Sequence, residues 1–366
     1  MGIADDSIDL RAAEDRRLHR RKIQLVALWL VLVFGCLLSV CIGAVAISPA
    51  QVAAILLEEV TGLETGIPYG RREETVLMAI RLPRLALGLI VGSALGVAGA
   101  VLQGLFRNPL ADPALIGVSS GAAVGAVLMI VLGAPLILLL PAGLGVYLIP
   151  VAAFAGGLVV TALVYALAQR QGGTDVAILL LAGVAMNAIT AAVVGVMIFI
   201  STDQELRDLN FWLLGSLAGA TWDRVGIILP GVVVALVGLM TLARFLNAIL
   251  LGEEAAEHLG LRVETAKRLS ILFVALATGG AVAMSGVIAF VGLMVPHMVR
   301  MAFGPDHRIV LPASALAGAF VIVAADLLAR TVAVPADLPI GVVMSLTGGP
   351  FFVWLLCRKR GLSGWT

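Results

Sequence analysis

Beyond residue 22 the chain is cut into ten apolar stretches, each close to the length that carries a helix across a membrane. They cover residues 23–46, 83–106, 114–134, 143–169, 176–200, 223–248, 266–284, 287–303, 309–332 and 338–357. A spanning helix needs about 20 mostly apolar residues. Inside lipid, helices and closed barrels are the structures that satisfy their own backbone hydrogen bonds. Stretches this long and this uniformly apolar read as helices, so the expected fold is an all-α polytopic membrane protein. Composition agrees: 61% of the 366 residues are hydrophobic and 13% are charged, against about 25% charged in soluble domains. The 287–303 stretch is the shortest and carries His297 and Arg300. Pro150 and Pro230 are expected to kink the fourth and sixth spans. In the second span Gly88, Gly92 and Gly96 recur every four residues, with Gly99 beyond, which predicts a smooth face for close helix approach.

Orientation follows from charge. Arg11, Arg16, Arg17, Arg20, Arg21 and Lys22 precede the first span, and Arg358, Lys359 and Arg360 follow the last. Both termini are therefore expected in the cytoplasm, which requires an even number of spans. Loops 107–113, 170–175, 249–265 and 304–308 then face inward, and 47–82, 135–142, 201–222 and 333–337 outward. The 47–82 stretch has room for an interfacial helix, with Ser48 as its cap and Pro49 at its first position. The first 22 residues are polar, and the apolar run behind them is too long for a cleavable signal. The organisation is read as a cytoplasmic segment, 1–22, and one transmembrane domain, 23–360.

A net charge of +1 gives no reason to expect nucleic acid. Cys36, Cys41 and Cys357 lie in or beside apolar runs and read as small packing residues. Lys22, Lys267 and Lys359 are the only lysines, and none follows a glycine. The phosphate-binding Gly-Lys-[Ser/Thr] of a nucleotide hydrolase is thus missing. If transport is active, ATP and Mg are handled by another chain, and no cofactor or metal is expected here. An intramembrane enzyme would need a catalytic cluster that the sequence does not offer. An ion-coupled carrier would need ionisable groups at depth; Asp326 is the best candidate, and Arg330 one turn later argues against a free proton relay.

Two loop motifs stand out. Gly252-Glu253-Glu254-Ala255-Ala256-Glu257-His258-Leu259-Gly260-Leu261 has glutamates at the start of an alanine-rich run and Gly260 placed to end it, which predicts a short helix. Three acidic residues on an inward loop oppose the usual basic bias and point to docking of a cytosolic partner. Phe106-Arg107-Asn108-Pro109-Leu110-Ala111-Asp112-Pro113 breaks the helix twice, with Asn108 and Asp112 as caps. Ser119-Ser120-Gly121-Ala122 then re-enters the membrane.

Those motifs, together with Arg81-Leu82-Pro83-Arg84, Val295-Pro296-His297 and Leu338-Pro339-Ile340-Gly341-Val342 in this order, resemble the FecCD family of permeases, which import ferric siderophores, heme and cobalamin. The likeness runs from about residue 45 to the end. It implies the type II importer permease architecture of ATP-binding-cassette (ABC) systems in a bacterial inner membrane. It also implies a homodimer with a pathway on its two-fold axis, two cytosolic ATPase subunits and a periplasmic substrate-binding protein. By the same resemblance, Gly252, Glu253, Glu254, Ala255, Glu257, His258, Leu259 and Gly260 form the coupling helix that docks on the ATPase. Arg81, Arg84 and Arg330 match positions that salt-bridge the binding protein, and the topology places them near the outer face. Asn108 and Leu110 match the main cytoplasmic gate. Thr174 and Asp175 fall where a second gate lies, although the sequence there departs from the family.

Cargo is read from finer likeness. Residues 203–217, with Phe106-Arg107-Asn108 and Leu115–Gly121, are similar to heme-permease members. Ferric siderophore and cobalamin remain open alternatives, since cobalamin permeases share a cruder version. His297 is the only histidine well inside a span; it is family-wide and favours a structural role, so no intramembrane heme ligand is expected.

Overall fold

The computed structural model describes residues 3–63, 65–139, 141, 143–170, 173–333 and 336–359, with side chains before residue 20 and at 137, 138, 356, 358 and 359 outside that description. The expected cytoplasmic cations Arg11, Arg16, Arg17, Arg358, Lys359 and Arg360 thus lie outside it as side chains. The helices in order are α1 (Ile3–Cys41), α2 (Pro49–Thr61), α3 (Arg71–Thr75), α4 (Leu82–Leu105), α5 (Val118–Leu132), α6 (Ala134–Leu139), α7 (Leu148–Leu167), α8 (Val176–Ile200) and α9 (Asp203–Leu214). They continue with α10 (Trp222–Thr241), α11 (Ala243–Ile249), α12 (Glu253–His258), α13 (Val263–Ser285), α14 (Val291–Phe303), α15 (His307–Val332) and α16 (Ile340–Lys359). A small antiparallel hairpin, β1 (Gln169–Arg170) and β2 (Gly173–Thr174), pairs Gln169 with Thr174 between α7 and α8.

Seven helical stretches are long and apolar enough to cross a membrane, and the shorter apolar helices Val118–Leu132, Val291–Phe303 and Ile340–Leu355 coincide with the other three expected spans. Four local features differ from the sequence reading. First, α1 begins at Ile3, so the charged N-terminal segment continues the helix of the first span. Second, Pro150 falls in the first turn of α7, where its missing N–H has no intrahelical partner to lose, whereas Pro230 does lie inside α10. Third, the expected 223–248 span divides into α10 and α11 near Thr241 and Leu242. Fourth, the segment expected as an outward loop, 201–222, contains α9. Thr202 starts that helix with a reciprocal cap: its hydroxyl accepts from Glu205 N and Glu205 Oε2 accepts from Thr202 N, the arrangement of a capping box.

The expected interfacial helix is α2. Ser48 Oγ accepts from Gln51 N, Gln51 Oε1 accepts from Ser48 N, and Pro49 occupies the first position. Ahead of α4 the helix widens to a π-helical turn over Val76–Arg81, with Leu82 N donating to Leu77 O. Pro83 has no N–H to continue the ordinary ladder there.

The most enclosed span is α4, which packs along α15 and also touches α10, α13 and α14. Its glycines do what their spacing predicts. A Cβ added at Gly92 would stand 2.3 Å from Gly318 O, one at Gly96 would stand 2.3 Å from Ser314 O, and one at Gly99 would stand 1.9 Å from Gly292 O. Backbone therefore lies directly on backbone along this face. In lipid, where solvent does not push helices together, such dispersion contact is a main source of association. A second pair, α5 and α7, meets the same way through Gly121, Gly125 and Gly156. The α9 end of the bundle gathers α2, the start of α4 and the ends of α1 and α15. The α12 end gathers the 106–117 loop, the hairpin and residues 303–307.

Candidate functional site

At the α12 end the polypeptide must turn sharply twice, and glycine supplies both turns. Gly252 has φ 112° and Gly260 φ 81°, a region that side chains strongly disfavour. Between them Glu253 and Glu254 open α12, where the helix dipole favours negative charge. Ala256 is fully buried and anchors the helix. The outer rim is apolar and exposed: Leu251 at 72% and Leu259 at 65% flank the exposed Glu254, Glu257 and His258. Exposed leucines beside an acidic helix make a contiguous apolar edge of the kind that marks candidate interaction surfaces.

Behind α12 lies a polar knot. Lys267 of α13 is 4% exposed. Its Nζ donates to Glu253 Oε2 at 2.7 Å and to Thr174 O at 3.1 Å. One ammonium thus joins α12 to the hairpin. Glu264, one turn before, accepts from Thr174 N at 2.9 Å, from Thr174 Oγ1 at 2.7 Å and from Arg268 Nε at 3.0 Å. Gln169 Nε2 donates to Thr174 Oγ1 at 2.8 Å. Thr174 is therefore buried and fully engaged. Asp175 caps α8 by accepting from Ala177 N and Ile178 N. The two residues that fall at the expected second gate are thus both tied into local structure, Thr174 in β2 and Asp175 as the cap of α8.

The 106–117 loop is shaped as its caps predict. Asn108 Oδ1 accepts from Leu110 N at 2.9 Å. Asp112 Oδ1 accepts from Ala114 N at 2.9 Å and starts a 3-10 turn over Pro113–Ile116. Asn108 is exposed, and so is Leu110, at 53%. Asn187, inside α8, grips the loop from above: Nδ2 donates to Ala114 O at 3.1 Å, and Oδ1 accepts from Ser120 Oγ at 2.6 Å. A Cβ at Gly183 would stand 1.7 Å from Leu115 O, so α8 lies directly on this loop. His297 packs against Phe351 and Phe352, with ring centroids at 6.4 and 6.5 Å.

At the α9 end the three singled-out arginines come together, but turned inward. Arg81 donates to the carbonyls of Val40, Cys41 and Val45. Arg84 Nε meets Asp326 Oδ1 at 2.8 Å, and its Nη1 meets Asp337 Oδ2 at 2.7 Å. Arg330 donates to Ser39 O and Ser39 Oγ and stands 3.6 Å from Asp326 Oδ2. Expected near water, these guanidiniums are enclosed: Arg81 is 5% exposed and Arg84 9%. Arg81 closes the π-helical turn and Arg84 sits in the first turn of α4; the first reaches the end of α1 and the second α15. Asp337 is the half-exposed member of the cluster. Asp326, held between two arginines, is not placed as a free proton relay.

Sequence reading passed over Lys267 as a connector, and with it Glu264, Asn187 and Asp337. A lysine followed by Arg268 at the head of the 266–284 apolar span was a signal, because a charge there needs a partner.

Comparison with known proteins agrees with this architecture. The model of the FecCD transport family matches residues 31–358. The hemin transport system permease protein of Yersinia pestis is 47% identical over 289 residues, 78% of this chain and 84% of that one. The cobalamin import system permease protein of Halobacterium salinarum is 44% identical over 303 residues, 83% of this chain and 78% of that one. A solved structure described as a metal-chelate type ABC transporter in an inward-facing conformation superposes with a TM-score of 0.79 at 29% identity, covering 92% of this chain and 99% of the other.

Proposed function

The chain belongs to the FecCD transport family, the membrane-spanning permeases of ABC importers, and from that premise we propose that it carries heme inward across a bacterial inner membrane. What supports heme is the likeness of residues 203–217, of Phe106-Arg107-Asn108 and of Leu115–Gly121 to heme permeases, together with the 47% identity to a hemin permease. Cobalamin is the second reading, favoured by the 44% identity to a cobalamin permease. Purification with cargo present decides between them: the absorption spectrum of what co-elutes separates heme from cobalamin. A cobalamin spectrum alone would overturn the heme assignment.

We further propose that two copies pair about a two-fold axis, that α12 docks in a cleft of a cytosolic ATPase, and that a periplasmic binding protein delivers cargo at the α9 end. The exposed Leu251 and Leu259 around an acidic helix support the ATPase contact. Both termini then lie in the cytoplasm, as does the loop of Asn108 and Leu110, which serves as the gate. Motion of α12 reaches the hairpin through Glu253, Lys267 and Thr174 O, a path of two hydrogen bonds from the docking helix to the neighbourhood of the pathway. At the other end, the buried arginines hold the docking face in shape, and Asp337 presents its carboxylate edge to solvent.

A further inference from the structure

A second site lies at the α12 end, away from the coupling surface. A cavity of about 440 Å³ opens between α10, α11 and α15, lined by Met240, Ala243, Leu311 and Pro312 and by the two exposed arginines Arg244 and Arg308. Its wall is amphipathic in a defined direction. The apolar residues on α10 and α15 belong to the membrane-spanning lengths of those helices, and the arginines sit where the lengths end. The cavity therefore straddles the level at which acyl chains give way to headgroups.

Positive charge in it exceeds the nearby negative charge, since one carboxylate, Asp306, faces both Arg308 and Arg21. Among the described residues no hydrogen bond or ion pair engages the Arg244 side chain. The nearest carboxylate, Asp306, is already committed. It accepts from Asn247 Nδ2 at 2.8 Å and from Arg308 N at 3.0 Å, and it faces Arg21 of α1 at 3.7 Å. Burial alone would raise the Asp306 carboxyl, but those hydrogen bonds and the two arginines hold it below the usual carboxylate range. Arg20, Arg21 and Lys22 of α1, which packs on α15, add positive charge nearby. A guanidinium fork grips phosphate in two places, and basic pockets between spans suit anionic headgroups.

We propose that this cavity binds the headgroup of an anionic phospholipid, with Arg244 and Arg308 on the phosphate and an acyl chain laid along Met240 and Leu311. A lipid is favoured over a free phosphate because half of the wall is apolar and lies at membrane depth. The proposal stands apart from the transported cargo and from docking at α12.

The test uses the full-length protein, without ATPase, in nanodiscs and in detergent with native mass spectrometry of retained lipid. Two basic residues at a membrane surface correspond to a preference of about thirty-fold for phosphatidylglycerol over phosphatidylcholine. The expected result is that preference in the native chain, its near loss in the double variant Arg244→Gln/Arg308→Gln, and its persistence in Arg20→Gln. If the double variant does not fold, Arg244→Gln alone, whose side chain has no partner to lose, should lower the preference about five-fold. Unchanged preference in these variants overturns the site, and an equal loss in Arg20→Gln reduces it to a diffuse field. Competition by soluble glycerol phosphate as strong as by the lipid would overturn the lipid as occupant.

Discussion

Replacing Gly92 by alanine should be among the most damaging single-methyl additions in the chain. The added Cβ would stand 2.3 Å from Gly318 O, 2.6 Å from Gly318 C and 2.7 Å from Ala319 Cα. All three obstacles are backbone, so no side chain can swing aside and α15 must withdraw by about 1 Å. A gap of that size forfeits roughly a quarter to a half of each dispersion contact along the seam. Overpacking typically costs about 1–3 kcal/mol, and a backbone obstacle puts this change at or above the upper end. Two comparisons calibrate it. Gly88→Ala meets side-chain tips, Leu217 Cδ1 at 3.2 Å and Ile322 Cγ2 at 3.6 Å, and should cost less than about 1 kcal/mol. Gly226→Ala meets nothing within 4 Å and should gain up to about 1 kcal/mol from helix propensity. Denaturant unfolding in micelles, followed by tryptophan fluorescence, should order the variants Gly226→Ala, native, Gly88→Ala, Gly92→Ala. If Gly92→Ala unfolds with Gly226→Ala, the α4–α15 backbone contact is not what holds these helices together.

Arg84→Gln should destabilise the fold toward the lower end of about 3–5 kcal/mol, because Asp326 loses its closer partner but keeps Arg330 at 3.6 Å, and Asp326→Asn in the same chain should recover part of it; unfolding midpoints of the single and double variants check this. Lys267→Met should leave membrane insertion and ATPase assembly intact while lowering cargo-stimulated ATP hydrolysis. Its stability cost should be only about 1–2 kcal/mol, because the Glu253 side chain is 41% exposed and water screens the pair. The Tyr69 hydroxyl donates to Glu58, and that bond, then burial and the nearby glutamates, push its pKa up to about 12. The raised value means that the clamp contributes in full below pH ~10, the ordinary tyrosine value, and is lost as pH rises through about 12. Ultraviolet titration should show a late phenol that Tyr69→Phe removes. Cysteine labelling should find α9 and α12 on opposite sides of the membrane.

The spans were legible because ten apolar runs admit few other readings, and the glycine spacing in α4 carried its packing partner's geometry with it. The caps at Ser48, Asn108 and Asp112 were likewise readable one by one. The helix α9 was missed, although Thr202 and Glu205 form a capping box, because attention to hydropathy passes over an amphipathic helix outside the bilayer. That the arginines share one end of the bundle was readable, but their burial was not foreseen. Their partners, Asp326, Asp337 and the carbonyls of Val40 to Val45, arrive from distant segments, and sequence spacing does not report such meetings. Lys267 escaped for the same reason: its partners come from α12 on one side and the hairpin on the other.

The most direct test is uptake of labelled heme into liposomes holding the permease with its partner ATPase and supplied with its binding protein, compared for the native chain and for Leu259→Arg in α12. Uptake that requires ATP, continues without any ion gradient and disappears in Leu259→Arg is the expected result. Uptake that persists without ATP and follows a proton or sodium gradient would contradict the account.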